Sequence, residues 1–303
     1  MPISSTSADA PITRHAMAKA DCAVSLLGFR ARVIGPGDLV EEVRSLFPRV
    51  PSWAALLPGC ADSAATCFVI RGGVPPGQYQ IAQDGWPRWA TPWREEVAPF
   101  VEWAICAAAV EHLGPRYLLF HAGAVAYGDT GMILPAPSGS GKTTLTAALL
   151  TAGFRYVSDE VAAVARDTQL LFPFARSLCI KQGASRALSA LYPGLLAHFP
   201  RRRPGDEYAW YLPPSEGAWI AAPTPVRYIV FPGYVPGDRT QLTPIVRGDA
   251  LTELLAQAFT PGARLDAQGM RGIVALLQGA ACFRLSVGDV RQARDALLGL
   301  VRA

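Results

Sequence analysis

Apolar and polar positions alternate over residues 22–34 (CAVSLLGFRARVI), which predicts one or two strands. Gly35-Pro36-Gly37-Asp38 then predicts a turn. Asp38 is placed to cap a helix running to about Phe47, with Leu39, Val43 and Leu46 on one face. Cys67–Ile70 predicts a strand ended by Arg71-Gly72-Gly73, and Gln78–Ala82 predicts another. Residues 95–112 predict a helix. Within it the apolar run 101–110 is interrupted by Glu102 and is far shorter than the roughly 20 residues that span a bilayer, so it reads as buried rather than membrane-crossing.

In the second half, Tyr117–His121 and Gly131–Leu134 predict buried strands. Gly141–Ala152 predicts a helix with Leu145, Ala148 and Leu149 on one face and Gly153 as its stop. Tyr156–Ser158 and Tyr228–Phe231 predict strands. Asp249–Phe259 and Asp289–Val301 predict helices capped by their aspartates, the second with Gln292 completing a capping box. Prolines between 193 and 236 predict loops and short strands there. The resulting organisation is a disordered tail over 1–18, a small N-terminal α/β domain over 19–92, and a larger α/β domain over 93–303. Tryptophans 86, 89, 93 and 103 straddle the junction and predict a packing cluster, with a base-stacking platform as the alternative.

Composition narrows the function classes. Half of the 303 residues are apolar and 17% are charged, which suits a folded core. A net charge of +4 is too slight and too dispersed for a nucleic-acid binder, which carries a clustered basic stripe. The one dense cluster, Arg201-Arg202-Arg203, reads as a solvated loop, with phosphate binding as the alternative. Six cysteines lack C-x-x-C or zinc spacing and read as reduced residues of a cytoplasmic protein. No secretory leader or membrane anchor is expected.

The chemical signal is MILPAPSGSGKTT, Met132–Thr144. A buried strand ends in a Gly/Ser-rich loop and a Lys-Thr pair opens a helix, the arrangement of a phosphate-binding P-loop. Gly139 and Gly141 let successive N–H groups turn inward onto phosphate oxygens, and the helix start adds partial positive charge. On this reading Pro137, Ser138, Gly139, Ser140, Gly141, Lys142, Thr143 and Thr144 hold ATP. Lys142 reaches the β- and γ-phosphates and the Thr143 hydroxyl faces Mg²⁺. Ala136 stands where the consensus has the first glycine, a mild departure. One helix and one strand later come Asp159 and Glu160. In a parallel sheet they would emerge beside the phosphates, one to hold Mg²⁺ and the other to accept a hydroxyl proton.

These residues resemble a known family. His121-Ala122-Gly123, PAPSGSGKTT and RYVSDE are similar to the catalytic domain of HPr kinase/phosphorylase. The run FHAGAVA…PSGSGKTTL…GFRYVSDE resembles more closely the HPr-kinase-related kinase A family, itself similar to lasso-peptide-associated kinases. The resemblance spans about 117–165, is looser to 300, and does not reach the N-terminal domain. It implies a mixed-sheet P-loop kinase core of the HPr kinase and phosphoenolpyruvate carboxykinase type. It also implies Asp159 as catalytic base, Glu160 as the second, metal-side acid where HPr kinase has Asp, and His121 as the histidine near the phosphates. HPr kinases assemble into hexamers, so a homo-oligomer is in keeping with it. No segment matches the region linked to reverse phosphorolysis.

The expectation is therefore a kinase moving the ATP γ-phosphate to a Ser/Thr hydroxyl of a small protein or peptide, with neither nucleic acid nor membrane as partner. A small-molecule acceptor, or a nucleotide-binding switch with little catalysis, are the alternatives. Arg176, Lys181 and Arg203 are further candidates for substrate or transition-state contacts.

Overall fold

A computed structural model describes residues 19–48, 65–73, 77–197, 199–205, 207–259 and 265–303. The expected tail over 1–18 lies outside these residues. Strands β1 (Lys19–Leu26) and β2 (Phe29–Pro36) pair as an antiparallel hairpin. Its two turn residues, Leu27 and Gly28, both have positive φ (49° and 94°), the conformation that matches the twist of a tight hairpin. Helix α1 (Gly37–Ser45) starts directly from β2, with Pro36 rather than Asp38 at its cap. Asp38 instead accepts a 2.6 Å bond from Arg94, so the expected turn and cap are replaced by a strand-to-helix junction and a cross-chain ion pair.

Strands β3 (Thr66–Gly72), β4 (Tyr79–Gln83) and β5 (Trp86–Thr91) complete a five-stranded sheet in the order β1-β2-β3-β4-β5. Helix α2 (Val97–Leu113) follows a short 3-10 turn and packs on α1 and β2. Its apolar residues join those of the first sheet and of the second half in one continuous core, so the division near residue 92 separates two sheets that share an interior. Trp89 stacks on Phe100 at 4.3 Å, Trp103 tilts against Phe100, and Trp93 lies beneath the Arg202 guanidinium. Of the expected cluster only Trp89 and Trp103 meet, both on Phe100; Trp93 packs on Arg202 instead, and Trp86 is 74% exposed.

The second half is built on β6 (Tyr117–Tyr127), β7 (Thr130–Pro135), helix α3 (Lys142–Leu150), β8 (Arg155–Ser158), β9 (Val161–Ala165) and β10 (Leu170–Phe172). There follow β11 (Leu178–Lys181), α4 (Gln182–Ser189), β12 (Arg201–Arg203), β13 (Glu207–Leu212) and the long β14 (Thr224–Tyr234). The chain ends with β15 (Gln241–Pro244), α5 (Arg247–Leu255), α6 (Ala267–Gly279), β16 (Ala281–Val287) and α7 (Val290–Arg302). Strand β10 pairs with both β9 and β14, so β10, β9, β6, β7 and β14 close on themselves, and β14 carries β16 on its far side. A separate three-stranded sheet, β11-β13-β12, faces the loop after β7.

The sheet is mixed, as the resemblance implies: β6 runs against both β7 and β8, while β7, β14 and β16 are parallel. Several other expectations change at this level. Asp249 lies in the first turn of α5 behind a Val246 cap, and the helix stops at Leu255. Asp289 does cap α7, accepting from the N–H groups of Arg291 and Gln292. Arg201–Arg203 are a half-buried strand rather than a solvated loop. Arg201 pairs with Glu42, Arg202 with Glu96, and Arg203 donates to the Cys179 sulfur. Among the described residues, no helix is long and apolar enough to cross a membrane.

Candidate functional site

Strand β7 is buried along its length and delivers the chain into the loop Ala136–Gly141. Gly139 and Gly141 have φ of 86° and 89°, the left-handed region that favours glycine, and they give the loop its curl. Ala136 is not among the residues of positive φ, so its methyl is accommodated where the consensus has glycine, and it is buried. Gly141 caps α3, whose first residues are Lys142 and Thr143. On β6, a Cβ at Gly123 would lie 2.5 Å from Thr146 Oγ1, so this glycine sets how closely α3 can lie against the sheet.

Lys142 is only 6% exposed. Its ammonium donates to the carbonyls of Ala136 (2.6 Å) and Pro137 (2.9 Å), threading the loop from inside. Burial pushes its pKa down to about 8, against the pull of Glu160 and Asp159.

The two acids occupy a break in a strand rather than its free end. Strands β8 and β9 both pair antiparallel with the same partner, β6 (Ala124 with Ser158, His121 with Val161), and the Ala122 N–H donates to the Glu160 carbonyl between them. The register with β6 is the same on both sides of the acids, so ordinary strand alternation sends their side chains to opposite sides. Asp159 turns inward and is fully buried. The Thr143 hydroxyl lies 3.2 Å from its Oδ2 and the Cys179 N–H 2.9 Å from the same oxygen. The Tyr156 hydroxyl lies 3.1 Å from Oδ1. Glu160 turns outward into the cleft, with His121 Nε2 3.2 Å from its Oε1. Burial would raise the Glu160 pKa. The His121 hydrogen bond and the Arg176 charge outweigh it and hold the carboxyl at about 2.

Behind the acids sits Arg176, 4% exposed. Its Nε is 3.0 Å from Glu102 on α2 and 3.7 Å from Asp159, and its other arm is 3.7 Å from Glu160. Burial raises the Glu102 carboxyl, and Arg176 opposes this. The expected role of Arg176 as a substrate contact does not fit this position, because it backs the acids instead of facing the cleft. Lys181, paired with Glu207 at 3.1 Å, and Arg203 do line the cleft, on the wall opposite the loop.

The cleft encloses about 860 Å³ and runs from His121 and Glu160 past the loop Ser138–Thr144 to Tyr234 and Arg291. Sequence reasoning brought together His121, Lys142, Thr143, Asp159 and Glu160; four of them line this cleft, and Asp159 is buried behind it against Thr143. It passed over Tyr156, Glu102 and Tyr234. Glu102 carried a readable signal, an acid inside the apolar run of a helix, which a buried partner would explain. Among the described residues no three His, Cys, Asp or Glu side chains form a metal cage. Comparison with known proteins finds no family model and no curated protein that matches the chain.

Proposed function

We propose that the chain is an ATP-dependent kinase that transfers the γ-phosphate to a hydroxyl of a small protein or peptide. The observation that carries this reading is one cleft lined by a glycine-curled loop, Lys142 and Glu160, with the buried acid Asp159 held against Thr143 behind it. A switch module needs the loop and one acid. The second acid, ionised and open to the cleft beside His121, is what a phosphoryl acceptor would meet.

The geometry favours a division of labour between the acids that reverses the expectation from the resemblance. Asp159 is closed off from an acceptor and already close to the Thr143 hydroxyl. Thr143 and Asp159 offer the hard oxygen ligands that suit Mg²⁺, which ordinarily takes one or two protein oxygens and completes its shell with phosphates and water. Bound there, Mg²⁺ would supply charge neutralisation to the phosphates. Glu160 is placed to orient the acceptor hydroxyl. Its low pKa makes it a poor base but a persistent anion, and phosphoryl transfer through a loose transition state asks chiefly for positioning.

The test is label transfer from γ-labelled ATP with Mg²⁺ to proteins and peptides of the source cell. Wild type should label a discrete polypeptide. Glu160→Gln should lose most transfer while keeping ATP affinity within a fewfold, and Lys142→Ala should lose both. ATP binding without transfer to any polypeptide would leave a small-molecule kinase or a switch as the better reading.

A further inference from the structure

A nucleotide whose terminal phosphate meets Glu160 must extend away from it, and the sheet sets the direction. Along the edge that carries the loop the strand order is β8, β6, β7, β14, β16. Strands β8, β7, β14 and β16 all run toward that edge. The acids follow β8 and His121 belongs to β6, so the reacting groups all lie on one side of the loop. On the other side stand Tyr234, the last residue of β14, and Arg291, just after β16. At about 4.8 Å per strand, β14 and β16 lie about 5 and 10 Å from β7 along the edge.

Tyr234 is an unusual residue to leave in the open. It is 55% exposed at the end of a strand whose preceding residues are largely buried. Register places Ile229 opposite Ile133, so β14 outruns β7 and Tyr234 stands beside the loop. A Cβ added to Gly141 would lie 3.7 Å from its own Cβ. Arg291 lines the same end of the cleft and makes no ion pair among the described residues. The nearby Asp289 uses Oδ1 to cap the helix.

We infer that Tyr234 and Arg291 form the nucleoside end of this site, the base stacking on the Tyr234 ring and the guanidinium facing the ribose and α-phosphate. The inference rests on the P-loop reading and adds to it the direction of the nucleotide and the residues that distinguish a nucleotide from a bare polyphosphate. An aromatic ring offers a face to any base, and a guanidinium offers donors only, to oxygen and nitrogen acceptors.

The experiment is calorimetric titration of the full chain with ADP and, separately, inorganic tripolyphosphate, each with Mg²⁺. Tyr234→Ala should weaken ADP about tenfold, the scale of one lost base–aromatic stack, and leave tripolyphosphate within about twofold. Tyr234→Phe should keep the affinity, and Arg291→Ala should weaken ADP more than tripolyphosphate. Equal loss of both ligands in Tyr234→Ala, or no loss of either, overturns the inference. Wild type binding tripolyphosphate as tightly as ADP also overturns it and leaves the phosphate loop standing. Wild type binding neither removes the loop reading, and the inference with it.

Discussion

The Thr143 hydroxyl lies 3.2 Å from Asp159 Oδ2, joining the helix that follows the loop to the strand break that carries the acids. A P-loop threonine and a buried carboxylate are thereby held as one unit. Asp159 also accepts from the Cys179 backbone, so this unit reaches the opposite wall of the cleft.

Lys142 gives the first prediction. Its pKa is about 8 when folded, against an ordinary value of 10.5. Between those values the unfolded chain binds more protons, so folding stability rises with pH across that window. Lys142→Met should abolish this rise, which is on the order of 3 kcal/mol. Denaturant titrations of both proteins from pH 7 to 11 measure it, with only Lys19 and Lys181 as further lysines to titrate. Phosphate would restore the charge. ADP binding above pH 8 should therefore take up protons, seen as a dependence of binding heat on buffer ionisation enthalpy.

Arg176 gives the second. Removing its charge leaves Glu102 buried without an opposite charge and takes the nearest positive charge from Asp159. Arg176→Leu should cost about 3–5 kcal/mol in urea unfolding. The deficit should shrink as pH falls, because burial already raises the Glu102 carboxyl and protonation removes its charge. Adding Glu102→Gln should recover part of the loss at pH 7. A deficit that is flat with pH and unaffected by the second change would mean that packing, not charge, sets the cost.

Gly123 gives the third. A methyl there would meet Thr146 Oγ1 at 2.5 Å and press α3 away from β6. Gly123→Ala should cost about 1–3 kcal/mol, the range for overpacking, and weaken nucleotide binding by tilting Lys142 and Thr143. Thr146→Ala in the same chain should return much of the stability, because Thr146 Oγ1 is buried without a hydrogen-bond partner and is itself dispensable.

The loop, its helix and the acid pair were legible in the sequence because they are local: one strand, one turn and one helix set their geometry. The strands that close the sheet were not. Strand β9 is uniformly apolar and short, β10 has three residues, and both are strands only because β6 and β14 offer them partners. Helix α6 escaped notice because Gly269, Gly272 and Gly279 weaken its propensity. Gly269 and Gly272 are tolerated because they pack against Leu265 and Leu118. The division of the acids was half legible. Alternation indicated that Asp159 and Glu160 face opposite ways, but which one faces inward depends on the pairing of β8 and β9 with β6.

That pairing has a mechanical corollary. Ladders on both flanks clamp the acids to β6, and β6 is laddered to β7, which carries the loop. The gap between Glu160 and Lys142 is thus a fixed gauge that no hinge can adjust without tearing the sheet. The small sheet β11-β13-β12 hangs on the same anchor through the Cys179 N–H on Asp159. Lengthening or shortening the chain by one residue between Ser158 and Val161 would exchange inside for outside, burying the cleft's acid and expelling its anchor.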